Sequence, residues 1–209
     1  MKVLISAGPT REKLDIIRFF SNRSSGKMGY ALAEAAATYE WEVVLVSGPV
    51  NLEAPENVRL IKVESAAEMA EAVRREAVDS DLVIMAAAVA DFRPKHIAAH
   101  KIKKTSGGLT IELEPTEDIL QSLGKSKPKG QILVGFAAES EDLITNAQDK
   151  MRRKNLDWIA ANDISNSESG FAVDKNAVTL LSRDGEKINI PTDSKKNVAR
   201  KILENIISF

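Results

Sequence analysis

Lys2-Val3-Leu4-Ile5-Ser6-Ala7-Gly8-Pro9-Thr10 opens the chain as a short run of branched apolar residues that stops at a glycine–proline turn. Such a run suits a parallel strand covered on both faces. The signature returns at Val43-Val44-Leu45-Val46, Val58-Arg59-Leu60-Ile61-Lys62-Val63, Leu82-Val83-Ile84-Met85, Ile132-Leu133-Val134-Gly135-Phe136 and Trp158-Ile159-Ala160-Ala161. Helical spacing fills the gaps. Met28, Ala31, Leu32 and Ala35 recur after the first strand, Ser65 with Glu68 forms a capping box before Met69, Ala72 and Val73, and a helix is expected from about Glu141 to Asn155. The alternation predicts an α/β fold: a doubly wound, mostly parallel, Rossmann-like sheet with helices on both faces. Ala177-Val178-Thr179-Leu180-Leu181 and Lys187-Ile188-Asn189-Ile190 flank Asp184-Gly185, predicting a C-terminal β-hairpin at about 176–190, and Val198, Ile202 and Ile206 mark a closing helix. One domain over residues 1–209 is expected, without internal repeats.

Charge is balanced, 29 basic against 30 acidic residues, so the surface as a whole is not marked for nucleic acid or an anionic membrane. The absence of cysteine excludes disulfides, thiolate zinc sites and a cysteine nucleophile. No apolar run approaches the ~20 residues of a membrane span. Met1 leads into a strand pattern rather than a signal peptide, and a soluble, cytoplasmic protein is expected.

Function is carried first by Arg18-Phe19-Phe20-Ser21-Asn22-Arg23-Ser24-Ser25-Gly26-Lys27-Met28-Gly29, which follows the first strand and is expected to open a helix. Its glycines, serines and basic residues crowd a helix start, where unpaired N–H groups and partial positive charge favour an anion. A phosphorylated ligand is predicted. The dinucleotide fingerprint of an NAD(P)-dependent oxidoreductase is missing: the first turn reads Ala7-Gly8-Pro9-Thr10 and the second strand ends in Ser47-Gly48-Pro49. A Walker loop fails as well, because Met28 follows Gly26-Lys27 and the upstream glycine is absent. From about 92 to 113 the strand–helix rhythm breaks. Arg93-Pro94, Lys101-Ile102-Lys103-Lys104 and Ser106-Gly107-Gly108 predict a mobile basic flap beside the ligand crevice, with a solvated loop as the plainer reading.

Ala7-Gly8-Pro9-Thr10-Arg11, the Arg18 to Gly29 stretch, Ala87-Ala88-Val89-Ala90-Asp91-Phe92, Lys101-Ile102-Lys103-Lys104, Gly135-Phe136-Ala137-Ala138-Glu139 and Ala161-Asn162-Asp163 resemble, in order over nearly the whole chain, phosphopantothenoylcysteine synthetase. In bacteria this is usually the carboxy-terminal half of a bifunctional coenzyme A biosynthetic protein. The resemblance implies a ligase: the carboxylate of 4′-phosphopantothenate attacks the α-phosphate of CTP, pyrophosphate leaves, and the amine of L-cysteine displaces CMP from the acyl-cytidylate. Both steps place negative charge on phosphoryl or carbonyl oxygen, so preorganised donors and cations are the expected catalysts.

Carried over residue by residue, the resemblance makes Asn22 and Lys101 catalytic, Asn22 at the acyl group and Lys101 as a charge-neutralising flap lysine. It assigns Arg18, Ser24, Ser25, Gly26, Lys27, Ala87 and Phe92 to the phosphopantothenate. The nucleotide falls to Met85, Ala86, Ala87, Asp91, Lys101, Glu117, Asp118, Ile119, Leu120, Phe136, Lys150 and Lys154, with Asp91 reaching a divalent ion such as Mg2+ on the triphosphate. Asn162 is expected near the nucleotide. The chain departs from the family at Glu114-Pro115-Thr116-Glu117-Asp118-Ile119-Leu120, where relatives carry a lysine and a proline; Thr116 is expected to cap the next helix, with Glu117 and Asp118 in its first turn. The resemblance also implies a homodimer whose active site is completed across the interface, with Phe92 or the hairpin contributed by the neighbour, and a decarboxylase on a partner chain or preceding domain. A nucleotide-sensing module without turnover remains the alternative, and an oxidoreductase a third. His96 and His100 read as surface histidines rather than a zinc site, Trp41 and Trp158 as core residues, and Asp157, Asp163 and Asp174 as caps or turn acids rather than magnesium ligands.

Overall fold

The six branched runs become six parallel strands because their alternating side chains find helices on both sides of one sheet. The computed structural model describes residues 1–104, 106–139, 142–163 and 174–208, with Glu139 and Asp163 described by backbone alone. In chain order the elements are β1 (Lys2–Ala7), β2 (Arg11–Lys13), β3 (Phe19–Ser21), α1 (Lys27–Ala37), β4 (Glu42–Ser47), β5 (Val58–Lys62), α2 (Ala66–Ala77), β6 (Leu82–Met85), β7 (Phe92–Pro94), β8 (Leu113–Pro115), α3 (Ile119–Ser126), β9 (Ile132–Glu139), α4 (Leu143–Arg153), β10 (Trp158–Asp163), β11 (Lys175–Ser182), β12 (Lys187–Ser194) and α5 (Lys195–Ile207). The main sheet runs β12-β11-β10-β9-β6-β1-β4-β5. Strands from β5 across to β10 are parallel, and β11 and β12 add an antiparallel pair at the edge.

Strand alternation divides the core in two. Val3, Ile5, Leu45, Ile84 and Val134 pack with Tyr30 and Leu32 of α1 and Val198 and Ile202 of α5. Leu4, Val44, Val46, Val83 and Leu133 pack with Met69 and Val73 of α2, Leu123 of α3 and Met151 of α4. Each fully buried side chain of this size contributes roughly 1.5–3 kcal/mol. The doubly wound sheet and the C-terminal hairpin are therefore as expected, the hairpin strands running longer on each side. Trp158 is buried and Trp41 packs at the edge of the core, its ring stacked on Tyr39. Among the described residues no helix is long and apolar enough to cross a membrane.

Several local expectations change. The Arg18 to Gly29 stretch is not one helix-opening unit: Phe19–Ser21 pair antiparallel with Arg11–Lys13, and the helix starts only at Lys27. The flap is rooted in a second ribbon, Phe92–Pro94 with Leu113–Pro115. Asp118, not Thr116, caps α3, its side chain accepting from the N–H of Gln121. Thr116 instead donates its hydroxyl to Ala90 O, which ties that ribbon to the end of β6. Asn155 lies beyond α4, and Glu141 lies outside the described residues.

Two packing features carry measurable consequences. Helix α1 lies so close to β1 that a Cβ on Gly29 would sit 2.5 Å from Ala7 Cβ and 2.9 Å from Ser6 O. Gly29→Ala should therefore lower stability by about 1–3 kcal/mol in urea titration, because neither neighbour is the end of a flexible side chain. At the other edge of the sheet, the buried carboxylate of Glu76 on α2 meets Arg59 of β5, Arg75 and Lys2 of β1. Hydrogen bonding from Arg59 leads these contacts in holding its pKa down at about 2, against a smaller push from burial. A depressed carboxylate pKa means stabilisation present above the unfolded value near 4.5 and lost as pH falls through about 2. The stability advantage of the native chain over Glu76→Gln should accordingly be full at neutral pH and shrink between pH 5 and pH 2, read from urea midpoints.

Candidate active site

The chain leaves β1 for β4 on one side while β6 pairs on the other, so the carboxyl ends of β1 and β6 open a crevice of the kind in which doubly wound sheets bind ligands. Side chains and carbonyls from the first turn stitch the two ends together. Ser6 Oγ accepts from Ala87 N at 3.1 Å, Gly8 O from Ala88 N at 2.9 Å and Thr10 Oγ1 from Ala90 N at 3.0 Å. Pro9 and Ala88 form a parallel bridge. The Ala-Gly-Pro-Thr and Ala-Ala-Val-Ala segments, 80 residues apart at Thr10 and Ala90, are thus two halves of one wall.

Over this wall lies a cleft of about 520 Å³. It brings together Asn22, Ser24, Ser25 and Gly26 from the first loop with Lys27 at the start of α1, Met85 at the end of β6 with Ala86, Ala87 and Asp91 after it, Glu117, Asp118, Ile119 and Leu120 at the start of α3, Phe136 of β9, Lys150 of α4 and Lys154 just past that helix. Asn162 lines it as well, with Asn176 and Lys195, which the sequence reading did not single out. The Oδ1 atoms of Asn162 and Asn176 are buried without a hydrogen-bond partner. Three expected residues stand outside the lining: Arg18, Phe92 and Lys101.

Gly26 adopts φ 75° at the N-cap of α1, where a Cβ would sit 2.9 Å from Val50 Cγ1, and no side chain caps the helix start beside the cleft. The Asn22 amide is fixed, since Nδ2 donates to Ala88 O at 3.2 Å and Val89 O at 3.0 Å. Its Oδ1 is left as the atom offered to a ligand. Lys150 Nζ donates to Phe136 O at 2.8 Å, and Lys154 pairs with Asp118 at 2.7 Å. Burial pushes the Asp118 carboxyl up, but Lys154, the N–H of Gln121 and the charge of Lys150 outweigh it and hold the pKa below the usual value. Lys27 forms a surface pair with Asp174, so an incoming phosphate would have to replace that carboxylate.

The departure at Glu114 to Asp118 is absorbed locally. Glu114 pairs with Arg93, Glu117 with Arg74, and Asp118 caps α3. Asp157 lies just before β10, at the amino-terminal end of the strands and away from the cleft, where it takes Lys127 and the N–H of Leu133. The Asp163 side chain falls outside the described residues. His96 and His100 are exposed, and among the described residues no three His, Asp or Glu side chains converge on a metal position.

Residues 1–209 match the family described as the DNA/pantothenate metabolism flavoprotein C-terminal domain. The chain belongs to this family. A relative from Bacillus subtilis (strain 168), the coenzyme A biosynthesis bifunctional protein CoaBC, is 52% identical over 208 residues, 99% of this chain and 51% of the relative. The chain spans about half the length of the curated relatives it matches. The crystal structure of a CoaBC C-terminal domain shares 48% identity with a TM-score of 0.83, covering 98% of this chain and 93% of that one. A Cab2 mutant in complex with phosphopantothenate-cysteine shares the fold at 18% identity, TM-score 0.83, covering 99% of this chain and 85% of the other. The family's description also mentions a flavin; Phe136 is the one aromatic side chain among the described lining residues, and no second ring stands ready to sandwich an isoalloxazine.

Thr10 tests the wall. Thr10→Val keeps the shape but leaves the buried N–H of Ala90 without its acceptor, which should cost about 1–3 kcal/mol in urea titration.

Proposed function

We propose that this family member is a phosphopantothenate–cysteine ligase that uses CTP and acts in coenzyme A biosynthesis. The observation that carries the proposal is the cleft itself, in which one end is an open helix start among serines and the other is lined by Lys150, Lys154 and Phe136. The CoaBC names of the relatives support the same reading.

In this reading the helix start and Ser24 to Lys27 anchor the phosphate of 4′-phosphopantothenate, far from the carboxylate that reacts. CTP lies along Met85, Ala86 and Ala87 and the start of α3, with its phosphates toward Lys150 and Lys154. A carboxylate oxygen attacks the α-phosphorus, the bond from that phosphorus to the bridging oxygen breaks, and pyrophosphate leaves with the electron pair. The amine of L-cysteine then attacks the acyl carbon, the acyl carbon–oxygen bond breaks, CMP leaves, and the amine gives up a proton. Asn22 serves the acyl centre: Nδ2 is spent on two carbonyls, and Oδ1 accepts an N–H at the reacting end. Lys101 neutralises charge during the first attack.

Mg2+ arrives in this scheme with the triphosphate. Asp91 would hold it, and a single carboxylate suits an ion that keeps most of its ligands from phosphate oxygens and water. Eight large apolar side chains, Ile16, Ile17, Phe19, Phe20, Phe92, Ile97, Leu109 and Leu113, are exposed on the two ribbons and their loops. That face is the proposed homodimer interface, and it would bring Phe92 and Arg18 of one protomer toward the other. A decarboxylase domain or partner chain completes the proposal, as the bifunctional naming of the relatives suggests.

Pyrophosphate release, measured with CTP or ATP and with or without cysteine, tests reaction, base and order of steps together. Release with CTP and phosphopantothenate, sustained only when cysteine is present, is expected. Asn22→Asp, which sets a carboxylate against the carbonyls of Ala88 and Val89, and Lys101→Gln should each lower turnover by about 100-fold or more, and Lys101→Gln should leave thermal unfolding unchanged. Full turnover by both variants would sink the assigned roles.

A further inference from the structure

Asp15 sits in the turn between β2 and β3, has a relative exposure of 2%, and does not line the cleft. A carboxylate so placed needs a reason, since burying it is costly unless every oxygen is satisfied. Oδ1 accepts the N–H groups of Ile17 and Arg18, both at 2.8 Å, and closes the turn. Oδ2 accepts from Arg18 Nε at 3.1 Å, from Arg18 Nη2 at 2.6 Å, and from the backbone N–H of Ile102 at 3.0 Å, 87 residues away. Arg18 Nη2 returns to the same flap residue by donating to Ile102 O at 2.9 Å. Both backbone polar groups of Ile102 are therefore held by one ion pair. The donors, led by Arg18, outweigh burial and hold the Asp15 carboxyl far below the usual carboxylate range, so it stays charged in any ordinary buffer.

The contact falls at the middle of the Lys101-Ile102-Lys103-Lys104 run, where Ile102 is half-buried and its three lysine neighbours are exposed. Upstream in the flap, Ala98 N donates to Leu14 O at 3.1 Å, so the flap is pinned twice to the same turn. We propose that Asp15 is a positioning residue: with Arg18 it fixes Ile102, and so sets the point from which the adjoining Lys101, outside the cleft lining, reaches toward the nucleotide. The basic segment is then a short lever on a fixed point, and the two lysines that flank that point, Lys101 and Lys103, have the least freedom. A lysine side chain loses rotamer freedom on being ordered, and an anchored backbone removes part of the remaining freedom before substrate arrives.

The kinetic part of the proposal rests on the ligase reading and on Lys101 acting in it; the anchoring part does not. Trypsin tests the anchor alone. In Asp15→Asn the charged acceptor is lost, and cutting after Lys103 and Lys104, followed by mass spectrometry, should quicken tenfold or more. Ile102→Pro removes the N–H that Asp15 receives, together with the isoleucine side chain and the freedom of φ, and leaves the buried Asp15–Arg18 pair in place, so it covers the case in which Asp15→Asn fails to fold. It should expose the same two bonds. Pyrophosphate release tests the positioning. Asp15→Asn should lower kcat at least tenfold with less than a threefold change in KM for CTP, and in a Lys101→Gln background it should cause little further loss, because a residue that acts through Lys101 has nothing left to position. Unchanged cutting in both variants would overturn the anchor. Fully multiplicative losses in the double variant would show that Asp15 acts elsewhere and overturn the positioning role, whether or not the ligase reading stands.

Discussion

Everything at the candidate site hangs on the seam between the carboxyl ends of β1 and β6. Beyond Ala7 and Met85 the strands no longer pair as a regular ladder, yet their backbone groups are buried and must be satisfied. Ser6 and Thr10, both fully buried, supply hydroxyl acceptors, and Gly8 supplies a carbonyl. With that seam closed, Ala88 and Val89 present carbonyls that hold Asn22, and Ala90 presents one that holds Thr116 at the root of the second ribbon. A single set of hydrogen bonds thus positions the first loop, the flap root and, through Thr116, the start of α3. The small side chains Ala86, Ala87 and Ala88 follow from the same constraint, since larger ones would fill the cleft that the seam supports.

Buried carboxylates tie the additions to the sheet. Glu12 of β2 accepts the N–H of Ala66 at the start of α2, and Asp15 holds the turn beside it to the flap. Neither ribbon belongs to the main sheet, and each exposes apolar residues that a free-standing pair of three-residue strands would not keep ordered in water. The charged anchors give the ribbons a fixed seat where apolar burial alone does not. Glu76 plays the corresponding part at the far edge, where it gathers Arg59, Arg75 and Lys2. In all three cases the carboxylate is buried and its oxygens meet charged or N–H donors, which is the condition for a buried charge to be tolerated.

Continuous runs of valine, leucine and isoleucine report burial on both faces, and for that reason the parallel strands and the helices between them were legible in the sequence. Short polar segments carry no such signal. Arg11-Glu12-Lys13 pairs with Phe19-Phe20-Ser21 across the turn at 14–18 although nothing in its alternation marks a strand, because so short a segment shows no period and its seat comes from Glu12 holding the N–H of Ala66. Arg18 read as a phosphate ligand from its neighbours in the chain, but Asp15 and Ile102 claim its Nε and Nη2. Thr116 looked like the cap of α3 because threonine suits that position; Asp118, two residues on, takes it because the ribbon needs the Thr116 hydroxyl. Asn176 and Lys195 passed unnoticed because the hairpin and the last helix show their cleft-facing positions only once β10 and β11 are paired.

By itself, then, the sequence determined the class of fold, the order of strand and helix, the crowding of serines, glycines and basic residues in the first loop and the family to which the chain belongs. These are properties of local pattern and of motifs that travel intact along the chain. Only the tertiary structure decided which basic residues face the cleft and which are spent on carboxylates, where the flap is fastened, and which buried amides complete the pocket. Such choices depend on distances between residues tens of positions apart, and a buried charge or N–H takes the partner that folding brings within about 3 Å, whatever its neighbours in the sequence suggest.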